Sequence, residues 1–281
     1  MRLTHSWKKM CCLVMAAASI GGMALAASPQ ATYEEAARNM AAHPQGSYTL
    51  KLGLKMPFVG EGAVVNNIDV QERPFVIQSQ AKVTGFAATT MKKVPEGKAY
   101  AVQNGKKIDV YYQEDGDEWE KKSYDLKDSK PLADYLRQDY NVLAGVKKVT
   151  AAGGNDYNVV FDASHIYNPA DQAQWKKNGM TAEQIRVMTK VLQGLQQCGD
   201  LSTVVTIDPA TKRISRISLP LTDQLRSLAL TLVDEYGRSD ADKAVAQSFI
   251  KMSEVSLTTD CTDLPQGTQL TVPEKVIKSA K

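Results

Sequence analysis

Histidine is almost missing from this 281-residue chain. There are three, and only His43 and His165 lie beyond the first 26 residues. Neither has a second metal-ligating side chain two to five positions away, so both read as exposed or simply hydrogen-bonded, and no metal is expected. The chain also lacks an H-E-x-x-H helix, a G-x-S-x-G elbow, a phosphate-binding glycine loop and a dinucleotide fingerprint. An enzyme would have to rest on scattered carboxylates, so neither catalysis nor a cofactor is expected. The acidic group Glu114, Asp115, Asp117 and Glu118 lacks the spaced ligands of a calcium loop and reads as a solvated turn.

Charge of one sign is lacking as well. Residues 1–26 hold three basic and no acidic residues, so 34 Lys plus Arg less those three leaves 31, against 31 Asp plus Glu. The net +3 belongs to the first segment. The remainder is neutral and has no global electrostatic reason to seek nucleic acid or anionic lipid. Lys92-Lys93, Lys121-Lys122, Lys147-Lys148 and Lys176-Lys177 are isolated doublets on solvent faces.

Long apolar runs are absent apart from Leu13 to Leu25. That run is short of the roughly 20 residues a membrane-spanning helix needs. It follows Arg2, Lys8 and Lys9 and precedes Ala24-Leu25-Ala26, the pattern of an export signal cleaved before Ala27. The expectation is a signal peptide over 1–26 and one soluble exported domain over 27–281, periplasmic or extracellular and without a stable transmembrane anchor. An uncleaved N-terminal anchor is the alternative. Cys11 and Cys12 precede the apolar run and are poorly placed for lipidation.

Only Cys198 and Cys261 then remain. An even count in an oxidising compartment predicts a disulfide between them, worth roughly 4 kcal/mol for so long a loop. No C-x-x-C spacing supports a redox role.

What the chain does have is alternation. Thr32 and Glu35 form a capping box ahead of a short helix carrying Ala36, Ala37, Met40 and Ala41. Tyr48, Leu50, Leu52, Leu54 and Met56 then alternate with Thr49, Lys51, Gly53 and Lys55, the period of a half-buried strand. Further strands are predicted over 63–71, 75–83, 86–94, 98–103, 106–113 and 117–124, separated by turn residues that include Asn104-Gly105 and Asp115-Gly116. Strands joined this tightly form an antiparallel meander with neighbours in chain order.

A short helix is expected after Pro131, then a hairpin over 145–162, then an irregular stretch from Ala163 to Gly179. Thr181 and Gln184 cap a helix with Ile185, Met188, Leu192 and Leu195 on one stripe. Leu201–Ile207 and Arg213–Leu221 make a hairpin whose second strand changes phase, suggesting a bulge or burial on both sides. An amphipathic helix over 223–235, a further turn over 239–246, a last strand through Val255, Leu257, Thr259 and Cys261, and a tail with Val272-Pro273 complete the chain.

The fold class expected is α+β: a long antiparallel meander curled into an incomplete β-barrel, its concave face covered by amphipathic helices. Met56, Met91, Tyr100, Tyr112, Trp119 and Tyr135, with Ile185, Met188 and Leu192 on the later helix, are the candidate lining of an apolar cavity between sheet and helices. An ordinary packed core accounts for the same residues.

The order of elements resembles the LolA/LolB-like superfamily of lipoprotein carriers and lipid-binding envelope lipoproteins. The local likenesses are Tyr111-Tyr112 followed by Trp119, the turn from Ile207 to Ile214 with Ile217, and Val272-Pro273. The chain departs from the lipoprotein members in having no Cys at its expected mature start, and from the carriers in its greater length. The resemblance implies a non-enzymatic carrier whose partner is a hydrophobic ligand, such as a lipid or a lipoprotein acyl chain. A cell-envelope protein-interaction module with a filled core is the alternative, with an envelope protein as its partner.

Overall fold

The computed structural model describes residues 28–89, 94–125, 145–177, 180–236 and 239–281. Helix α1 (Pro29–Ala42) starts a turn earlier than the Thr32 box predicts. Ser28 caps it through its hydroxyl, which accepts from the Ala31 N–H, and Pro29 takes the first position, where its missing N–H costs nothing. Six strands follow: β1 (Gly46–Met56), β2 (Gly60–Gln71), β3 (Val76–Gly85), β4 (Glu96–Asn104), β5 (Lys107–Glu114) and β6 (Glu120–Asp125).

The strand predicted over 86–94 does not begin there: among its described residues, Phe86–Thr89 is helical. Gly85 turns at φ +71, so close to β2 that a Cβ there would lie 2.1 Å from the Glu61 carbonyl oxygen. The chain leaves the sheet at that point as a helical turn, α2 (Phe86–Thr89). The spacing of turn residues suggests a strand here, but the close approach at Gly85 ends the pairing with β2. The helix expected after Pro131 lies outside the described residues.

Strands β7 (Val146–Gly153) and β8 (Asp156–Phe161) form the next hairpin. Two helical insertions then separate later strands. A 3-10 turn (Ala163–His165), α3 (Asp171–Lys177) and α4 (Ala182–Gln197) come between β8 and β9 (Leu201–Asp208). Helices α5 (Thr222–Tyr236) and α6 (Asp240–Met252) come between β10 (Arg213–Pro220) and β11 (Glu254–Thr262). Helix α6 is much longer than the single turn the sequence suggests. The expected bulge is present, as a register shift between Ile214 and Arg216. A short helix, α7 (Glu274–Ser279), ends the chain.

Among the described residues, eleven strands form one antiparallel sheet in the order β6-β5-β4-β3-β2-β1-β11-β10-β9-β8-β7. This is chain order made circular by the β1–β11 pairing and opened between β6 and β7. Strands that alternate in direction around an odd-numbered ring leave one neighbouring pair running the same way. That pair is β6 and β7, and co-directional strands cannot be joined by a tight turn. The sheet is not closed into a barrel.

Because side chains alternate across a strand, the register assigns each residue to a face. One face carries the core around α1: Tyr33, Ala36, Ala37 and Met40 of the helix pack with Tyr48, Ile68, Val70, Val149, Val159, Val205, Ile207 and Ile214. The alanines allow close approach, and burial raises the Tyr33 phenol well above its usual pKa. Arg213 fixes the end of α1, donating to the carbonyls of His43 and Gln45 and to Asp263.

The C-terminal tail covers part of the opposite face, while Lys51, Asn67 and Gln80 on that face stay exposed. The Leu270 N–H donates to Gln71 Oε1 at 2.7 Å, and Leu270 and Val276 are buried. At the edge strand β6, the Lys281 N–H donates to the Trp119 carbonyl and the Lys121 N–H to the Lys281 carbonyl. No helix among the described residues is long and apolar enough to cross a membrane.

Candidate ligand-binding site

Burial along the α1 face changes sharply with height in the sheet. The row through Cys261, Tyr48 and Ile68 is packed under α1, and one step up Leu50 is still only 2% exposed, flanked by Thr259 and Asn66. Beyond it, toward the end where the helical insertions emerge, the same face is only half-buried. Leu52 pairs with Leu257 and Val64, Leu54 with Val255, and Met56 ends β1; all six are intermediate in exposure. Ile217 and Leu219 on β10 continue this apolar, half-buried surface. Val83 on β3 departs from the trend and is buried.

The helical insertions share that half-burial. Ile185, Met188, Leu192 and Leu195 of α4 are all intermediate, as are Leu225, Ala229 and Val233 of α5. What is firm is the base of each insertion. The Thr181–Gln184 capping box starts α4, and Gln172 Nε2 ties α3 to Tyr167 and Thr189. Lys147 Nζ lies 2.8 Å from Asp200 and 3.5 Å from Asp162, and Asp200 also accepts from the Ala163 N–H. These donors hold both carboxyls below the usual range, Asp200 chiefly through Lys147 and Asp162 chiefly through Ser164.

At the second insertion, Thr222 Oγ1 donates to the Val255 carbonyl and accepts from its N–H. Arg226 reaches the carbonyls of Ile250 and Ser253. The two insertions meet where Cys198 Sγ lies 3.8 Å from the Gln224 carbonyl.

The sequence-derived candidates divide between two faces. Met56 and Tyr112 are on the α1 face, the latter through the row Tyr48–Ile68–Ser79–Ala99–Tyr112. Ile185, Met188 and Leu192 are on α4. Tyr100 is not with them: it stands in the neighbouring row with Ser47, Asp69, Gln78 and Tyr111, which faces away from α1. Trp119 joins Tyr100 there, with ring centroids 5.6 Å apart, and the Trp119 carbonyl accepts from the Lys281 N–H. Met91 and Tyr135 lie outside the described residues. The Tyr112 hydroxyl donates to Glu120, and Lys122 sits 5.1 Å over its ring, so this residue marks the polar end of its row.

Leu52, Leu54, Val64, Leu219, Val255 and Leu257 were not among the candidates. Their signal was strand alternation, which a search for Met and aromatic residues passes over.

The disulfide is not formed; Cys198 and Cys261 are both free thiols. Cys261 faces Tyr48 near the α1 end of β11, whereas Cys198 lies beyond the far end of β10, where Pro220 pairs with Ser256. From Ser256 to Cys261 the strand alone covers roughly 17 Å at about 3.4 Å per residue. A disulfide tolerates no more than about 7 Å between Cα atoms.

No protein-family model matches the chain, and no curated protein matches it. Among the described residues no group of three His, Cys, Asp or Glu side chains could hold a metal ion.

Proposed function

We propose that the protein is an exported, non-enzymatic carrier or binding protein for an apolar ligand such as an acyl chain. In this reading the sheet curls into an incomplete barrel, α1 plugs one half of its concave face, and the α3–α4 and α5–α6 insertions cover the other. Curling is supported by the composition of the α1 core. One slender helix packs with side chains from β1 and β2 and also from β7, β8 and β9. Strands spaced about 4.8 Å apart would carry these out of its reach in a flat sheet.

The observation that carries the ligand reading is the fall in burial from Tyr48 and Leu50 to Leu52, Leu54 and Met56 on one continuous apolar face. A core normally closes over such a surface; a binding surface is left to be closed by its ligand. The resemblance to LolA/LolB-like carriers agrees with an acyl ligand.

The test is organic extraction of the purified protein with mass spectrometry of the extract, together with displacement of a fluorescent fatty acid. Extracted lipid and displaceable probe are expected. If neither is found, the carrier reading fails and the same fold is an envelope interaction module with a filled core.

A further inference from the structure

Among the described residues nine large apolar side chains are exposed, and six of them gather at one end of the sheet: Phe58, Val59, Val94, Val245, Phe249 and Met252. Phe58 and Val59 form the tip of the β1–β2 turn. Val94 leads into β4, whose first residue pairs with Lys82 near the end of β3. Met252 is the last residue of α6, and β11 begins two positions later with Glu254 opposite Lys55. The turn tip and the end of α6 are therefore neighbours. Val245, Phe249 and Met252 are spaced four and then three apart, so they form one stripe on that helix.

Phe58 is the extreme case. It is 103% exposed, as free as in an isolated peptide, and its φ of 64° is left-handed. A bulky residue at such a φ costs of order 1–2 kcal/mol of backbone strain, and here no packing offsets it. The α6 stripe repeats the pattern, with Val245 58%, Phe249 41% and Met252 45% exposed.

We propose that this end of the molecule docks on a lipid surface, with Phe58 and the Val245–Phe249–Met252 stripe entering the boundary between headgroups and acyl chains. The choice of a bilayer over a protein partner rests on shape. The apolar groups project from a turn tip, a strand approach and a helix face. A bilayer takes up separate protruding side chains, whereas a protein interface needs a continuous complementary patch of about 800 Å² per partner. Charge does not decide the choice: Lys55 and Lys251 are exposed near the patch, against Glu61, Asp240 and Glu254, so apolar insertion carries the binding. The proposal goes beyond the ligand reading and does not depend on it.

Flotation of the chain from Ser28 to Lys281 with vesicles of phosphatidylethanolamine and phosphatidylglycerol tests it. The chain is expected to float with the vesicles, and Phe58→Ser to weaken partition about tenfold or more, the equivalent of one buried Phe side chain. Phe249→Ser should act the same way. Phe58 is wholly unpacked, so Phe58→Ser should keep the parent's circular dichroism and melting temperature and still displace a fluorescent fatty acid as the parent does; Phe249, 41% exposed, is partly packed, so its variant is compared at a temperature where circular dichroism shows it folded. Absence of flotation, or equal flotation of parent and both variants, overturns the proposal. So does a concentration-dependent dimer that Phe58→Ser converts to monomer, which would assign the patch to a second copy of the chain.

Discussion

Tyr48 and Cys261 face each other across the β1–β11 ladder, on the side of the sheet that α1 covers. Burial pushes both up to about 12, and Cys261 adds to the shift of Tyr48. The Tyr48 hydroxyl donates to the Pro44 carbonyl at 2.7 Å, so the pair also helps to fix the turn that follows α1.

A thiol held neutral in this way is a poor nucleophile, because the thiolate is the reactive form. Native protein should therefore be alkylated by iodoacetamide at Cys198 well before Cys261, and both should label once it is unfolded. Reductant should leave the melting temperature unchanged. A drop of several degrees on reduction would mean that a bridge worth a few kcal/mol had been present.

Alkaline pH should separate the folded and unfolded chains. Unfolded Cys and Tyr ionise around their ordinary values of 9.0 and 10.0, whereas Cys261 and Tyr48 in the fold stay neutral up to about 12. Their contribution to stability is fully present below pH 9 and is lost as pH rises toward 12, by up to about 1.4 kcal/mol per pH unit for each group. Urea unfolding across this window measures the slope. Cys261→Ala should flatten its first part and Tyr48→Phe its later part; a parent slope unchanged in both variants would contradict the assignment.

Much of the sheet was readable because local and global signals agreed. Alternation from Tyr48 to Met56 and the turns at Gly105 and Gly116 predicted strands that pair in chain order, and they do. Three things were not readable, each for a nonlocal reason. The β1–β11 pairing joins segments about two hundred residues apart, and no local pattern announces it. The end of pairing at Gly85 depends on the neighbouring Glu61 backbone. Above all, Tyr100 and Tyr112 looked like members of one aromatic group, yet Ala99, not Tyr100, pairs with Tyr112. One residue of register places them on opposite faces, and composition carries no information about that phase.

On the face turned away from α1, Asp109 is nearly closed off, its side chain 5% exposed. Burial alone would raise its pKa, but donation from Ser123, Lys121 and Asn104 outweighs this and lowers it. A lowered carboxyl stabilises the fold above its unfolded value of 3.8, and that stability is lost as pH falls through the folded value. Asp109→Asn should cost about 1–3 kcal/mol at neutral pH. It should also make the acid limb of the stability curve shallower, as read from melting temperatures between neutrality and about pH 3. A variant as stable as the parent would remove Asp109 from the account of this face.

The two faces give opposite expectations for binding. Leu54, opposite Val255 and half-buried, sits where the α1 face opens, while Tyr100 packs against Trp119 on the other side. Leu54→Trp adds volume to a surface that is not closed, so it should not meet the 1–3 kcal/mol penalty of overfilling a packed core. It should instead occupy the space of the ligand, weakening displacement of a fluorescent fatty acid about tenfold or more while the melting temperature stays within a few degrees. Tyr100→Ala should do the reverse, lowering stability by about 1–3 kcal/mol through lost aromatic packing and leaving displacement unchanged. If Leu54→Trp unfolds the protein, the upper half of the face is a filled core. If Tyr100→Ala abolishes probe binding, the ligand lies on the face beneath the C-terminal tail.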